Sequence, residues 1–168
     1  MVQRKEIYKE IFKHTGYWKY AELYDMVFEW FKNRDWILKE EMYNEKIQAN
    51  GKEVIIRWVA IKEITDYFMF EIVLEWHILG MKDAEVEIDG EKVKTNKGEV
   101  EIVFKSTIIK DYERRWETLP LWKFMRALYE KHVIKATVDE FEEKLREDET
   151  KVLINDIKGF LRISHKSK

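Results

Sequence analysis

YFMFEIVLEWHILGM, Tyr67–Met81, is the most apolar stretch of the chain. Whether it is a membrane span, a buried helix or a strand decides the fold. Phe68, Phe70, Ile72, Leu74, Trp76 and Ile78 alternate with Met69, Glu71, Val73, Glu75 and His77. Unbroken alternation is the period of a strand, whose successive side chains point to opposite faces. A helix would place Glu71 and Glu75 four residues apart as a like-charge pair. A membrane helix of this length would be too short and would have to bury both carboxylates. The stretch therefore reads as a central strand, its even-numbered residues on a dry face and the others on a mixed one. It is long for a strand, so a bend or bulge is expected, with Gly80 at its end.

Period-two patterning extends to both sides. WILKEEMYNEKI precedes QANGKEVIIRWVAI, and Asn50-Gly51 between them is a hairpin signal, because both turn positions favour positive φ. After Met81 come AEVEID, EKVKT beyond an Asp89-Gly90 turn, and GEVEIVFKSTII, in which Val100, Ile102, Phe104, Ser106 and Ile108 share a face. Strand follows strand through short turns without a helical crossover, which predicts an antiparallel meander of about five to six strands over residues 35–111.

Helical patterning flanks the meander. Ile7, Ile11 and Phe12 predict a short first helix, broken by His14–Gly16, and residues 17–33 predict a second that is apolar nearly all round. Pro120 sits in the first turn of LPLWKFMRALYEKHV. Thr137 and Glu140 form a capping-box pattern ahead of a long last helix. Glu140/Lys144, Glu142/Arg146 and Glu147/Lys151 support that helix at i,i+4 spacing. The expected fold is a single α+β domain, 1–168. It is helical over 1–34, an antiparallel sheet over 35–111, helical over 116–163, and frayed at 164–168. Two N-terminal and two C-terminal helices pack mainly on one face of the sheet.

In this order of elements the chain resembles the helix-grip (START-like) proteins, which wrap a curved sheet around a C-terminal helix and often enclose an apolar ligand. It departs from their pattern in lacking a strand before the first helices and in carrying an extra helix before the last. The resemblance implies a ligand space between sheet and last helix, and the inward-facing Phe68, Phe70, Trp76 and Phe104 either line such a space or, more simply, fill it.

Composition restricts the chemistry. The chain is 45% hydrophobic, 14% aromatic and 38% charged, with net charge -2. It is long enough for a real core, and its balanced charge argues against nucleic acid as a partner except through a local patch. Abundant Lys, Glu and Ile give a thermophile-like composition. With no cysteine, disulfides and thiolate sites are excluded. Each of the six glycines has a turn, strand-end or helix-break position, and no phosphate-binding glycine motif is present. Ser106 lies outside any nucleophile-elbow pattern and faces the core side of its strand. No cofactor and no metal site is expected. Glu71, Glu75 and His77 project from one strand face, a set that could bind a divalent cation or move protons. Cross-strand pairing of that face with Arg57 or Lys105 accounts for it more simply. The N-terminus lacks the apolar run of a signal peptide, and the expected location is cytoplasmic or peripheral to a membrane.

The surplus aromatics lie in the helical segments. Lys110 to Lys135 carries Lys110, Arg114, Arg115, Lys123, Arg126, Lys131 and Lys135 against Asp111, Glu113, Glu117 and Glu130, with Trp116, Trp122, Phe124 and Tyr129 between them. One reading of this segment is an amphipathic helix covering the sheet with Leu121, Met125, Leu128 and Val133. The other is a contact surface. Trp18, Trp30, Trp116 and Trp122, ringed by Lys123 and Arg126, are the candidate anchors. The functional expectation is a non-catalytic protein-interaction or scaffold module, self-associating or binding a protein partner through aromatic-rich helices. The alternatives are an apolar-ligand or lipid-binding protein, and a membrane-surface binder acting through the basic helix 119–135.

Overall fold

The computed structural model describes residues 2–113, 121, 124–125, 127–128, 131 and 134–166. Five strands form one antiparallel sheet: β1 (Gln3–Trp18), β2 (Ile37–Gln48), β3 (Gly51–Glu63), β4 (Phe68–Ile88) and β5 (Glu91–Lys110). Their order is β1-β5-β4-β3-β2. Helix α1 (Tyr20–Lys32) links the two edge strands. The C-terminal helical run comprises α2 (Ile134–Glu143), a π-helical turn (Lys144–Thr150) and α3 (Lys151–Lys166).

The opening stretch is the central strand its alternation predicts. Phe70, Ile72, Leu74, Trp76 and Ile78 are all buried on one face. Opposite partners on β3 and β5 supply Ile56, Trp58, Ala60, Val100, Ile102 and Phe104 to the same face. Leu23, Val27, Trp30 and Phe31 of α1, with Leu153, Ile154, Ile157 and Leu161 of α3, close the core over it. A fully buried side chain of this kind contributes about 1.5–3 kcal/mol.

Three features correct the fold expected from sequence. First, residues 1–34 are not two helices. The chain starts with strand β1, which pairs with β5 from Gln3↔Lys110 to Trp18↔Asn96. Ile11, a core position in the helical reading, is 56% exposed on the outer sheet face. The core is met instead by Tyr8, Phe12 and Trp18, even-numbered as one face of a strand requires, and by Ile7 at the register shift between Glu6 and Tyr8. A pattern of three apolar residues fits both periods, and pairing with a partner strand decides between them. β1 also supplies the leading strand whose absence set the chain apart from the helix-grip outline.

Second, β4 does not end at Gly80. The strand runs on to Ile88, and the expected bulge is there, as a register shift between Leu79 and Lys82. Gly80 takes φ 59° within it. The predicted meander of about five to six strands over 35–111 therefore becomes four longer strands, joined by β1 at the edge. The β4–β5 turn is the expected Asp89-Gly90, with φ 51° and 83°. The β2–β3 turn falls one residue earlier than predicted, on Ala49-Asn50, with Gln48 opposite Gly51. Gly51, at φ 125°, lies against the β4 bulge, and an added Cβ would stand 2.7 Å from the Gly80 carbonyl carbon.

Third, the separate C-terminal helices of the expected fold are not what the described residues form. From Ile134 the chain is helical without a break to Lys166, with a π turn inside it. The π turn moves the buried side of the run by one position. Val138 is buried before it, Leu145, Glu149 and Thr150 within it, and Leu153, Ile154, Ile157 and Leu161 after it. Of the expected i,i+4 pairs, Glu147–Lys151 closes at 2.6 Å, whereas Glu142 reaches across to Lys5 at 2.5 Å.

Candidate docking surface

The core claims two of the six candidate binding residues. Trp18 is fully buried and donates its indole N–H to the Gly98 carbonyl at 3.3 Å. Trp30 is also buried and donates to Asp156 at 3.0 Å, with the Arg34 guanidinium 4.5 Å above its ring. Neither indole is presented to a partner of this monomer. Trp116, Trp122, Lys123 and Arg126 lie outside the described residues.

The described part of the basic segment is different. Residues 121, 124, 125, 127, 128 and 131 have helical backbone. Leu121 is 69% exposed, Phe124 63%, Met125 48% and Leu128 43%. Their spacing, i, i+3, i+4 and i+7, is one stripe of a helix. Ala127, Lys131 and Lys135 are exposed as well. The expectation that Leu121, Met125 and Leu128 cover the sheet is therefore not met, and Val133 lies outside the described residues.

The outer sheet face, by contrast, satisfies its own charges. Glu71 pairs with Arg4, Glu75 with Arg57, Glu6 with Lys105 at 3.1 Å, Glu101 with Lys13 at 2.8 Å, and His77 with Glu53 at 2.8 Å. Glu71, Glu75 and His77 thus each turn to a different neighbouring side chain instead of converging. Among the described residues no group of three His, Asp or Glu side chains could hold a metal ion. Two hollows of about 400 and 330 Å3 on this face share Arg57, Glu75 and Val103. The larger is walled by the Arg4–Glu71, Arg57–Glu75 and Glu6–Lys105 pairs, the smaller mainly by Met42, Ile55, Ile56, Trp76 and Val103 beside Arg57–Glu75.

No family model, curated protein or solved structure matches the chain.

Function must therefore be argued from the geometry itself. The helix-grip outline implies a ligand space under the last helix, but the side chains meant to line it fill it. Phe70, Trp76 and Phe104 are buried, and Phe141 packs edge-on against Phe68 and Phe70 at centroid distances of 5.3 and 6.1 Å. Ser106 is equally enclosed. Its Oγ lies 2.6 Å from Thr150 Oγ1, which donates to the Leu145 carbonyl at 2.8 Å, so Ser106 is the donor to Thr150. That is a structural hydroxyl inside the core, next to the π turn.

A second polar set joins α1 to the β2 edge. Glu40 accepts from Tyr24 at 2.6 Å and from the Trp58 indole at 2.8 Å, and Tyr20 donates to Tyr43 at 3.2 Å. Burial, then the bond to Tyr43, pushes the Tyr20 phenol above its ordinary range. Burial and the bond to Glu40 do the same to Tyr24. Both stay neutral donors at physiological pH, which suits a structural bracket and not proton transfer. The signal for the exposed stripe is an apolar helix for which the core has no room. In the sequence the same basic amphipathic segment fits a sheet-covering helix equally well.

Proposed function

We propose that this protein is a non-catalytic binding module that docks through the helical stripe Leu121, Phe124, Met125 and Leu128. One observation carries the reading: four large apolar side chains at helical spacing stand in solvent. Scattered exposed hydrophobics are ordinary, but a contiguous stripe marks a contact surface. A protein with this much buried aromatic core gains no stability from leaving such a stripe wet. Covering half of each of the four side chains would contribute on the order of 1 kcal/mol apiece. Three further points agree. Ser106 is enclosed, Glu71 and Glu75 of β4 are paired, and Phe70, Trp76 and Phe104 are buried in the core.

The test is whether the stripe is surface or core. The variant Leu121→Ser/Phe124→Ser/Met125→Ser/Leu128→Ser should keep the melting temperature of the parent within a few degrees, because no core contact is lost. It should also lose binding of a fluorescent apolar dye such as anilinonaphthalene sulfonate. A loss of stability of several kcal/mol, the signature of emptied core positions, would defeat the proposal.

A further inference from the structure

We infer that the occupant of this stripe is an anionic lipid surface, an inference that rests on the docking reading above. The first support is charge. Residues 119–135 contain Lys123, Arg126, Lys131 and Lys135 against Glu130 alone, a net charge of +3 in a chain whose total is -2. The remainder is therefore net -5, and the positive excess belongs to the segment that carries the apolar stripe. Lys131 and Lys135 are exposed beside it. A second copy of the same helix is a poor occupant, since two segments of the same positive charge would be brought face to face and repel.

The second support is residue type. Leu, Phe and Met form the stripe, and the sequence between them adds Trp122 and Tyr129, residues favoured at the membrane–water boundary. Basic residues on one side and Trp, Phe and Leu on the other are the composition of a helix lying in the headgroup plane. The stripe is about two turns long, suited to shallow insertion. No described helix is long and apolar enough to cross a membrane.

The third support is the setting. Every described residue from 121 to 131 is exposed, Ala127 and Lys131 included. A helix lying in the headgroup plane immerses one face and leaves the other in water, so it requires no shaped groove. Such a helix lowers its free energy by burying apolar area, and each Lys or Arg near an anionic leaflet adds roughly fivefold to the affinity.

The experiment is co-sedimentation of the full chain with two sets of vesicles. One is phosphatidylcholine alone, and in the other about a third of the lipid is phosphatidylserine. Binding to the anionic vesicles should be at least about tenfold tighter and should fall as salt shortens the screening length. Lys131→Gln/Lys135→Gln should lower anionic binding by about tenfold or more at unchanged stability. The four-serine stripe variant should abolish it. Equal binding to both vesicle types, or anionic binding that survives in the stripe variant, would overturn the inference. No vesicle binding by a parent chain whose stripe variant stays folded and loses dye binding would overturn the lipid assignment while leaving the docking reading standing. A parent dimer that the stripe variant converts to monomer would reassign the surface to a second copy. If instead the stripe variant unfolds, it is the docking reading that fails.

Discussion

The hydroxyl pair at the π turn allows a sharp energetic test. Ser106 and Thr150 are fully buried, their oxygens are 2.6 Å apart, and Thr150 passes its proton to the Leu145 carbonyl at 2.8 Å. Thr150→Val keeps the shape and removes the hydroxyl. It deletes the bond to Leu145, worth about 0.5–1.5 kcal/mol, and leaves Ser106 as a buried donor without an acceptor, a further cost of about 1–3 kcal/mol. The expected destabilisation is roughly 2–4 kcal/mol, or a melting temperature lower by roughly 5–12 °C for a chain of this size. Ser106→Ala should cost only about 0.5–1.5 kcal/mol, since Thr150 still reaches Leu145. In the double variant the orphaned Ser106 hydroxyl is gone. Its cost should fall below that of Thr150→Val alone, giving a coupling of about 1–3 kcal/mol. Urea titration of the four proteins measures all these terms. Additive single effects, or a Thr150→Val cost under about 0.5 kcal/mol, would show that the pair does not hold the π turn to the sheet.

Three further outcomes follow from the same core. Gly51→Ala forces a Cβ to within 2.7 Å of the Gly80 backbone at φ 125°. It should cost at least about 2 kcal/mol in chemical denaturation, whereas Gly90→Ala, at φ 83° with nothing within 4 Å, should cost about 1 kcal/mol. Leu74→Ala empties a fully buried site at the centre of β4, so a thermal-melt loss of about 2–5 kcal/mol is expected, and an effect below about 1 kcal/mol would remove β4 from the core. Burial is the largest influence on Glu10 and acts to raise its pKa, but hydrogen bonds from Lys158 at 2.6 Å and Tyr8 at 2.5 Å outweigh it and hold the carboxyl below its ordinary 4.5. A lowered folded pKa gives stability that is complete above the unfolded value and lost as pH falls through the folded one. Glu10→Gln should therefore flatten the acid side of the melting-temperature profile below about pH 4.5, and an unchanged acid limb would contradict the assignment.

The parts of the fold legible in the sequence are those fixed by local physics. Alternation over Phe68–Ile78 sets which residues of β4 face the core, although Glu71 and Val73 of the opposite face are buried too, and Asp89-Gly90 sets a turn because both positions take positive φ. What was not legible depends on distant partners. Gln3–Trp18 is a strand because β5, far along the chain, offers it a free edge along its whole length. Gly80 looks like a terminator until β5 continues beside it and turns the irregularity into a bulge. The π turn was not legible either, and its Thr150 hydroxyl meets Ser106 of a distant strand. The candidate site divides the same way. Trp18 and Trp30 stand out as anchors by their size, yet Gly98 and Asp156 accept their N–H groups inside the molecule. The basic segment was legible as amphipathic, but which way it faces is a property of the assembled core.

The outer sheet face and the stripe then differ in kind. On the outer sheet face Arg4, Lys13, Arg57, Lys105 and His77 are each already matched to a carboxylate. A ligand there must displace existing partners, and exchanging an exposed ion pair such as Arg57–Glu75 or Lys105–Glu6 for another contributes at most about 1 kcal/mol. The stripe of Leu121, Phe124, Met125 and Leu128 stands in solvent, and covering it displaces only water. Removing apolar area from water is the larger and less screened effect. The neighbouring cations add attraction that acts before contact and selects an anionic surface over a neutral one. Affinity should therefore reside in the four apolar side chains and selectivity in the lysines. The two can be separated experimentally, because only the lysine contribution is sensitive to salt.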